Sequence, residues 1–380
     1  MLVPLAHAAT ATCGGKAGTL GRLLRAGLPV PDGVVVPFGA DPAALHDALA
    51  PALDALGEPP VAVRSSAGDE DTPGASAAGQ HETVLAVRGV DQVADAVRTC
   101  WASLDSARAT AYRRATPGAA GEPVMAVLVQ RLVDAQVAGV MFTPGAPDGT
   151  TRIEASWGLG AGVVGGTVTP DAYAVAADGT VARTVADKRS RTDRRGTQVV
   201  STPVAAADRH RPCLDDTTAA RLALLGRRVS EVLGGAQDVE WAVVDGEPWV
   251  LQARPVTADL PASASPPASR ATLAGTPGSR GTATGTARVV RGPGDFARVR
   301  RGDVLVCPWT DPGWTPLLHL AAGVVTETGG VLAHAAIVAR ERGIPAVLGV
   351  PGATAVLHDG ATVTVNGTAG TVTTVPHTPT

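Results

Sequence analysis

The sequence lacks any strong excess of charge, so nothing in its electrostatics favours a nucleic acid or an anionic membrane as partner. Its 380 residues include 32 Lys and Arg against 35 Asp and Glu, which gives a formal net charge of −3. Proteins that bind nucleic acid usually carry concentrated basic charge. The sequence also lacks an uninterrupted apolar run of the roughly 18 residues that a membrane-spanning helix needs. We therefore expect neither nucleic acid nor a membrane to be bound.

Closely spaced cysteines are missing as well. Cys13, Cys100, Cys213 and Cys307 are scattered without a C-x-x-C spacing, which argues against a zinc site and against a disulfide framework. The opening residues MLVPLAHAAT lack the basic and long apolar segments of a secretory signal. These absences together predict a protein of the reducing cytoplasm.

Glycine and proline are abundant, with 45 and 30 residues, and indicate many defined turns. A chain of this length usually forms two or three domains. The composition changes most sharply at 258–274, ADLPASASPPASRATLA, which we interpret as a linker between a domain at 1–257 and a smaller domain at 275–380. Fully extended, this segment would span at most roughly 55 Å. A linker of that length would let one of the two domains move between two separate sites.

The two predicted domains differ in their patterns. Before the linker, β-rich runs such as VVVPF, PVAVRS, AVLVQRLV and VEWAVV alternate with helical stretches such as DQVADAVRTCWASLDSARATAYRR and TAARLALLGRRVSEVL. This alternation predicts an α+β fold. After the linker, ARVVRG, DVLVCP, GVVTE, AVLGV and TVTVNG read as strands, and HAAIVARERG reads as a helix. We expect a smaller α/β domain there.

Two glycine-rich segments are candidates for phosphate binding. Residues 13–36 begin with a glycine turn, continue through Lys16 and form a helix that ends at Gly27. Glycines let a backbone approach phosphates closely, and lysine adds a positive charge. Residues 61–85 place Arg64 at the end of a strand, followed by a long loop of small residues. Arg64 is either a phosphate ligand or the ion-pair partner of Asp69, Glu70 or Asp71.

A β-hairpin at 238–255 is the third candidate segment. Its turn falls at Asp245 and Gly246, a favoured hairpin dipeptide. If the loop contains the three residues 245–247, Glu240 lies directly across from Gln252, and both side chains offer oxygen to Mg²⁺ on one face. A shorter loop would place them on opposite faces.

Together these segments resemble the ATP-grasp nucleotide domain of phosphoenolpyruvate synthase, pyruvate phosphate dikinase and rifampicin phosphotransferase. The resemblance covers nearly the whole of 13–257 and includes MAVLVQRLVDAQVAGVMFT and IEASWGLGAGVVGGTVTPDAY. It implies ATP as a ligand, with phosphate contacts from Lys16, Arg64 and Arg254, and Thr83 close to them. It also implies an adenine pocket lined by Gln130, Arg131, Leu132 and Val133, with Mg²⁺ bound by Glu240 and Gln252.

His334 is the histidine with the most distinctive context. It follows TETGGVLA and opens a helix, where free N–H groups and the positive end of the helix dipole stabilise an anion. A histidine in this place is often only a cap or a packing residue.

Its surroundings resemble the swivelling phosphohistidine domain of the same enzymes. The resemblance covers most of 275–374 and includes the pattern GG-x-x-x-H-x-x-I-x-x-R, and it implies that His334 is the nucleophile and phosphoryl carrier. Arg340 faces either the phosphate or a docking surface. Leu332 occupies the position of the regulatory threonine of the dikinases, so regulation of that type should be absent. Leu332 and the segment TDPGWTPLL are closer to rifampicin phosphotransferase.

The resemblance implies a two-step relay. ATP passes its β-phosphoryl group to His334 and leaves as AMP, the γ-phosphoryl group goes to water or phosphate, and the histidine domain then serves the hydroxyl of a small molecule. Neither a pyruvate-binding barrel nor a rifampicin-binding domain is recognisable, so the acceptor stays open.

Three other interpretations remain. A partner protein would supply the acceptor site if the chain is the ATP subunit of a split enzyme. An ATP-grasp carboxylate–amine ligase would release ADP and leave His334 vestigial. An ATP-sensing adaptor would catalyse nothing.

Overall fold

The computed structural model describes residues 1–68, 82–106, 124–145, 149–256 and 272–375. They form two compact units, one with Met1–Gly160, Asp171–Val185 and Arg189–Val256, the other with Ala161–Pro170, Ala186–Lys188 and the described residues after 256. Most of the expected linker lies outside the described residues. Its last three residues, Thr272–Ala274, form a strand, because their backbone pairs with residues 371–373 of the last strand.

The described residues contain both long amphipathic helices and helices of a single turn. In chain order they are α1 Thr10–Arg25, α2 Leu45–Ala55, α3 Val90–Ser103, α4 Ala161–Val164, α5 Asp216–Leu233, α6 Thr315–Leu318, α7 His334–Arg342 and α8 Ala353–Val356. Short 3₁₀ helices lie at Leu5–His7, Pro42–Ala44, Ala206–Asp208, Pro293–Arg298 and Pro312–Trp314. The helix expected from DQVADAVRTCWASLDSARATAYRR is α3, and the residues of that stretch from 107 on lie outside the description.

The strands are short and numerous, as the turn-rich composition predicts. They are β1 Val3–Pro4, β2 Gly33–Val36, β3 Val61–Ala67, β4 Thr83–Val87, β5 Met125–Arg131, β6 Val137–Phe142, β7 Thr151–Trp157, β8 Asp171–Val175, β9 Val181–Thr184, β10 Ser190–Arg195, β11 Gln198–Pro203, β12 Gln237–Val244, β13 Glu247–Pro255, β14 Thr272–Ala274, β15 Thr276–Ser279, β16 Thr282–Val289, β17 Val304–Cys307, β18 Gly323–Thr326, β19 Ala346–Leu348, β20 Thr362–Asn366 and β21 Thr371–Thr374.

The first unit contains a five-stranded antiparallel sheet in the order β1-β2-β5-β3-β4. Strand β5 is apolar on both faces, because helices cover both. Val127 and Val129 pack with α2 and α3, whereas Ala126 and Leu128 join the core that contains α1. This sheet thereby holds the glycine turn of α1 next to β3, which carries Arg64.

A second antiparallel sheet of the first unit has the order β13-β12-β6-β7-β8-β9. Alternate residues such as Met141, Ile153 and Val239 face the core formed with α1 and α5. Because side chains alternate along a strand, Glu240 and Glu154 lie on the other face. That polar face carries the predicted magnesium ligands.

The second unit is built on a mixed sheet in the order β14-β21-β20-β16-β17-β18-β19-β15. Strands β16 to β19 run parallel to one another, and α7 packs its small residues Ala335, Ala336 and Ala339 on one face. Carboxyl ends of parallel strands meet at one edge of a sheet. The turn that leads to His334 follows β18, and Thr310 follows β17, so both lie at this edge. No helix in the described ranges has the length and hydropathy for a membrane crossing.

Candidate functional site

The glycine turn before Lys16 is an interruption inside α1 rather than a loop ahead of it. Gly14 has φ of +78° and ψ of 174°, a conformation that side chains avoid. A Cβ atom added there would lie 2.1 Å from the carbonyl oxygen of Ser66. The Ser66 hydroxyl donates to the Cys13 carbonyl at 2.7 Å and accepts from the Ala17 N–H at 3.1 Å. These contacts fix the backbone on both sides of Lys16, which is buried.

Arg64 lies on β3 two residues before Ser66, and it connects the two sheets of the first unit. Its guanidinium donates to a carboxylate oxygen of Glu240 at 2.8 Å and to the Leu251 carbonyl at 2.6 Å. The side chains of Arg64 and Glu240 are only 12% and 22% exposed. The alternative partners Asp69, Glu70 and Asp71 lie outside the described residues. The observed ion pair thus joins one predicted phosphate ligand to one predicted magnesium ligand.

Glu240 and Gln252 are direct cross-strand partners, but not through the loop length that the sequence suggested. The hairpin loop contains only Asp245 and Gly246, with φ of +50° and +78°, as in a type I′ turn. Such a loop alone would pair Glu240 with Leu251. A bulge at Leu251 corrects the register, because one extra residue on β13 shifts every later pair by one. The expected three-residue loop is therefore wrong, although the pairing it was meant to explain is present.

Arg254 forms a buried ion pair with Asp238, a residue that the sequence analysis did not single out. The guanidinium lies 2.8 Å from a carboxylate oxygen, and the two side chains are 12% and 7% exposed. Asp238 and Arg254 are cross-strand partners on the same face as Glu240 and Gln252. In the sequence, Asp238 lies two residues before Glu240 and Arg254 lies two residues after Gln252. This spacing could have identified them as members of the same face.

Glu154 is a second residue that the sequence analysis missed. It pairs with Val140 on β6, and Val140 pairs with Glu240 on β12, so Gln252, Glu240 and Glu154 lie in one row across the polar face. Glu154 is 3% exposed. Glu154 stands between Ile153 and Ala155, which both join the core. A carboxylate between two core residues of a strand could have identified it from the sequence.

The four residues expected to line an adenine pocket have different environments. The Gln130 side chain is buried and donates to the Pro31 carbonyl at 3.0 Å. Arg131 is exposed and donates to the Leu56 carbonyl at 2.6 Å. Leu132 is half-buried, and its N–H donates to the Pro60 carbonyl at 2.9 Å. Val133 packs on a small apolar cluster that also contacts Leu251.

Thr83 begins β4 at an exposed position and is the cross-strand partner of Arg64. The cluster next to Val133 consists of Ala135, Ala138, Leu159 and Ala242. Because the Leu251 carbonyl binds Arg64, the apolar cluster and the charged group are neighbours. Of the described residues, no three His, Cys, Asp or Glu side chains come together in a way that would hold a metal ion. Glu240 and Gln252 remain the paired oxygen donors.

His334 begins α7 in the second unit and is only 5% exposed. Gly329 precedes it with φ of +103°, and Ala333 is extended at the helix start. Both ring nitrogens have hydroxyl neighbours. Thr310 Oγ1 lies 3.1 Å from Nδ1, and Thr315 Oγ1 lies 3.4 Å from Nε2. The sequence analysis used the TDPGWTPLL segment only as a mark of resemblance and missed both threonines.

Arg340 is bonded to the backbone around His334. Its guanidinium donates to the Val331 carbonyl at 2.7 Å and to the Gly278 carbonyl at 2.9 Å. The sequence had left its direction open between the phosphate and a docking surface. These bonds tie the turn before His334 to strand β15.

Cys307 ends β17 close to the same edge of the sheet. Burial raises the pKa of its thiol far above the ordinary range, and the Glu327 carboxylate adds to the effect. The thiol therefore stays protonated and is a poor nucleophile. Cys307 is therefore not an alternative nucleophile to His334 at this edge of the sheet.

Two family models match consecutive stretches of the chain. The family model described as pyruvate phosphate dikinase, AMP/ATP-binding domain, matches residues 39–272, and the model of the PEP-utilising enzyme, mobile domain, matches 299–370.

Similar curated proteins carry a consistent name. A probable phosphoenolpyruvate synthase of Methanothermobacter thermautotrophicus is 41% identical over 319 residues, which are 82% of this chain and 46% of that protein. The phosphoenolpyruvate synthase of Pyrococcus furiosus is 39% identical over 332 residues, 82% of this chain and 40% of that protein. That of Deinococcus radiodurans is 37% identical over 349 residues, 86% of this chain and 44% of that protein. The chain thus matches less than half the length of each of these relatives. It belongs to the pyruvate phosphate dikinase AMP/ATP-binding family and carries a PEP-utilising mobile domain behind the nucleotide-binding part.

Proposed function

We propose that the chain is an ATP-dependent phosphotransferase of the dikinase type, with His334 as the phosphoryl carrier. The observation that carries the proposal is the position of His334 at the start of α7, within the region that matches a PEP-utilising mobile domain. A helix start stabilises the negative charge of a phosphorylated imidazole. The first part of the chain matches an AMP/ATP-binding domain, so the proposed phosphoryl donor is ATP.

In the proposed first step, the lone pair of a His334 ring nitrogen attacks the β-phosphorus of ATP. A nitrogen–phosphorus bond forms, the bond from that phosphorus to the oxygen of AMP breaks, and AMP leaves. The γ-phosphoryl group passes to water or to inorganic phosphate. A covalent carrier divides one difficult transfer into two easier ones.

Lys16, Arg64 and Arg254 are proposed to position and neutralise the phosphates, which is the main task in phosphoryl transfer. The Arg64–Glu240 ion pair supports this role, because it orients the guanidinium on the polar side of the hairpin. Val133 and its apolar cluster are proposed to contact the adenine, and Thr83 is proposed to lie near the phosphates.

Magnesium is proposed to bind at Glu240 and Gln252. The donor set fits this ion, because both side chains offer oxygen, they are direct cross-strand neighbours, and Mg²⁺ usually takes few protein ligands together with phosphates and waters. When bound, Mg²⁺ neutralises phosphate charge. Arg64 already donates to one Glu240 oxygen, so it also fixes that carboxylate in place.

The acceptor is proposed to be the hydroxyl or enol oxygen of a small molecule. Because the relatives are named phosphoenolpyruvate synthases, phosphoenolpyruvate is the first product to assay. No described contact favours a partner protein as acceptor.

The test uses ATP labelled at the β- or γ-phosphate, with Mg²⁺, and measures the nucleotide product and the acid-labile label on the protein. We expect AMP and β-label on the wild type and no protein label on His334→Ala. His358→Ala is the matched control, because His358 is an exposed histidine of the same unit. ADP as the product, unaffected by His334→Ala, would instead indicate a ligase and refute the proposal.

A further inference from the structure

A short segment carries the chain from the first sheet of the first unit to its second sheet. Strand β5 ends at Arg131 and strand β6 begins at Val137, and the two strands belong to different sheets. We call residues 132–136 the crossing segment. It begins among the residues proposed to line the adenine pocket, and it enters the sheet whose hairpin β12–β13 carries the proposed magnesium ligands. The crossing segment therefore joins the proposed base site to the proposed metal site.

Backbone hydrogen bonds fix the start of the crossing segment on the first sheet. The N–H of Arg131 donates to the Asp32 carbonyl at 2.8 Å, and the N–H of Leu132 donates to the Pro60 carbonyl at 2.9 Å. The Arg131 guanidinium adds a bond to the Leu56 carbonyl at 2.6 Å. The start of the segment thus has anchors that do not involve the second sheet.

Gln136 ends the crossing segment and makes two hydrogen bonds to Asp245, the first residue of the hairpin turn. Its Nε2 donates to Asp245 Oδ1 at 3.1 Å, and its Oε1 accepts from the Asp245 N–H at 3.0 Å. An amide NH₂ and a backbone N–H can only donate, and an ionised carboxylate can only accept. Both contacts require the same orientation of the Gln136 amide, so the direction of each bond is determined.

The remaining side chains of the crossing segment are engaged as well. Asp134 forms an ion pair of 2.6 Å with Arg194 on the β10–β11 hairpin. The Asp134 side chain is 55% exposed, and exposed ion pairs contribute little. Val133 and Ala135 pack in the small apolar cluster proposed to contact the adenine. The two bonds at the end of the segment are therefore its stronger polar attachment to the second sheet.

We propose that Gln136 and Asp245 are positioning residues for ATP, which hold the adenine-lining residues at a fixed distance from the magnesium-binding hairpin. A ligand that contacts two sites at once binds more tightly when the sites are already held at the matching separation. Loss of the contact should therefore weaken only those ligands that span both sites. This inference rests on the nucleotide site of the proposed function.

The experiment compares one ligand that spans the two sites with two ligands that each occupy one of them. MgATP spans both, adenosine occupies the base site, and magnesium tripolyphosphate occupies the phosphate and metal site. Gln136→Ala should weaken MgATP binding about fivefold, the equivalent of one net hydrogen bond. The affinities for adenosine and for magnesium tripolyphosphate should stay at the wild-type values. All three are measured by isothermal titration calorimetry at one ionic strength, and thermal unfolding checks the fold.

Variants of Asp245 separate the hydrogen bond from the turn. Asp245→Asn keeps an oxygen that accepts from Gln136 and a residue that tolerates positive φ, so it should bind MgATP like the wild type. Asp245→Gly keeps the turn but removes the acceptor, and it should weaken MgATP binding. Combined with Gln136→Ala it should add no further loss, because the two residues form one interaction. Gln92→Ala is the matched control, since Gln92 is an exposed glutamine on α3.

Equal weakening of all three ligands in Gln136→Ala would indicate general damage to the fold and would overturn the inference. Unchanged MgATP binding in Gln136→Ala, or a loss in Asp245→Asn as large as in Gln136→Ala, would overturn it too. Failure of the proposed carrier chemistry gives a different result, because MgATP affinities would then change as expected while His334 acquires no label. A wild type that binds no MgATP would refute both.

Discussion

Replacing Gly14 with alanine should reduce the free energy of ATP binding by more than it reduces the free energy of unfolding. The new Cβ atom would lie 2.1 Å from the Ser66 carbonyl oxygen and 2.5 Å from its hydroxyl, so the turn must move. The Ser66 hydroxyl bonds the backbone of Cys13 and Ala17 on either side of Lys16, which lies two residues after Gly14. If Lys16 loses a charge-assisted phosphate contact of roughly 1.5–3 kcal/mol, ATP binding should weaken roughly tenfold to hundredfold.

Gly39→Ala is the matched control for this prediction. Gly39 also has a positive φ, +68°, but a Cβ atom there meets nothing within 4 Å. Both variants place a side chain at positive φ, which costs roughly 1–3 kcal/mol, and only Gly14→Ala adds the steric clash. ATP affinity is measured by isothermal titration calorimetry, and stability by thermal unfolding. Equal ATP affinity in the two variants would refute the link between the glycine turn and Lys16.

Two further predictions concern the buried polar groups of the first unit. Asp238→Leu should lower the free energy of unfolding by roughly 3 kcal/mol, because it leaves Arg254 buried without its carboxylate, and the double variant with Arg254→Leu should recover much of that loss; additive effects in urea unfolding would contradict the ion pair. Burial raises the pKa of Tyr173 above its ordinary value of 10.0. The folded phenol stays neutral where the unfolded one ionises, so its contribution to stability is complete below pH 10.0 and falls as the pH rises above it. Tyr173→Phe should flatten this part of the stability curve, and an unchanged slope would disprove the assignment.

The local conformation of several segments followed from the sequence. Asp245-Gly246 forms the predicted hairpin turn, since this dipeptide tolerates positive φ at both positions. His334 begins the predicted helix after its glycine turn. The apolar alternation in VEWAVV places Glu240 opposite the core residues Val239 and Trp241. Each of these features depends on residues within a few positions of one another.

Contacts across long sequence separations could not be obtained in that way. Arg64 and Glu240 are 176 residues apart, and only the meeting of two sheets brings them together. The bulge at Leu251 corrects a register that the loop length alone would have shifted. Thr310 and Thr315 lie near His334 because β17 and β18 are adjacent parallel strands, which no local pattern reveals.

The sequence by itself therefore determined the family and the types of reactive side chain present, because these depend on motifs that lie within short segments. The tertiary structure decided which groups meet. In the folded protein, Arg64 pairs with the carboxylate of Glu240, and Arg254 pairs with the carboxylate of Asp238. Each ring nitrogen of His334 lies next to a threonine hydroxyl. The physical reason is that hydrogen bonds and ion pairs depend on distances of about 3 Å, which sheet pairing and side-chain packing establish between residues far apart in the chain.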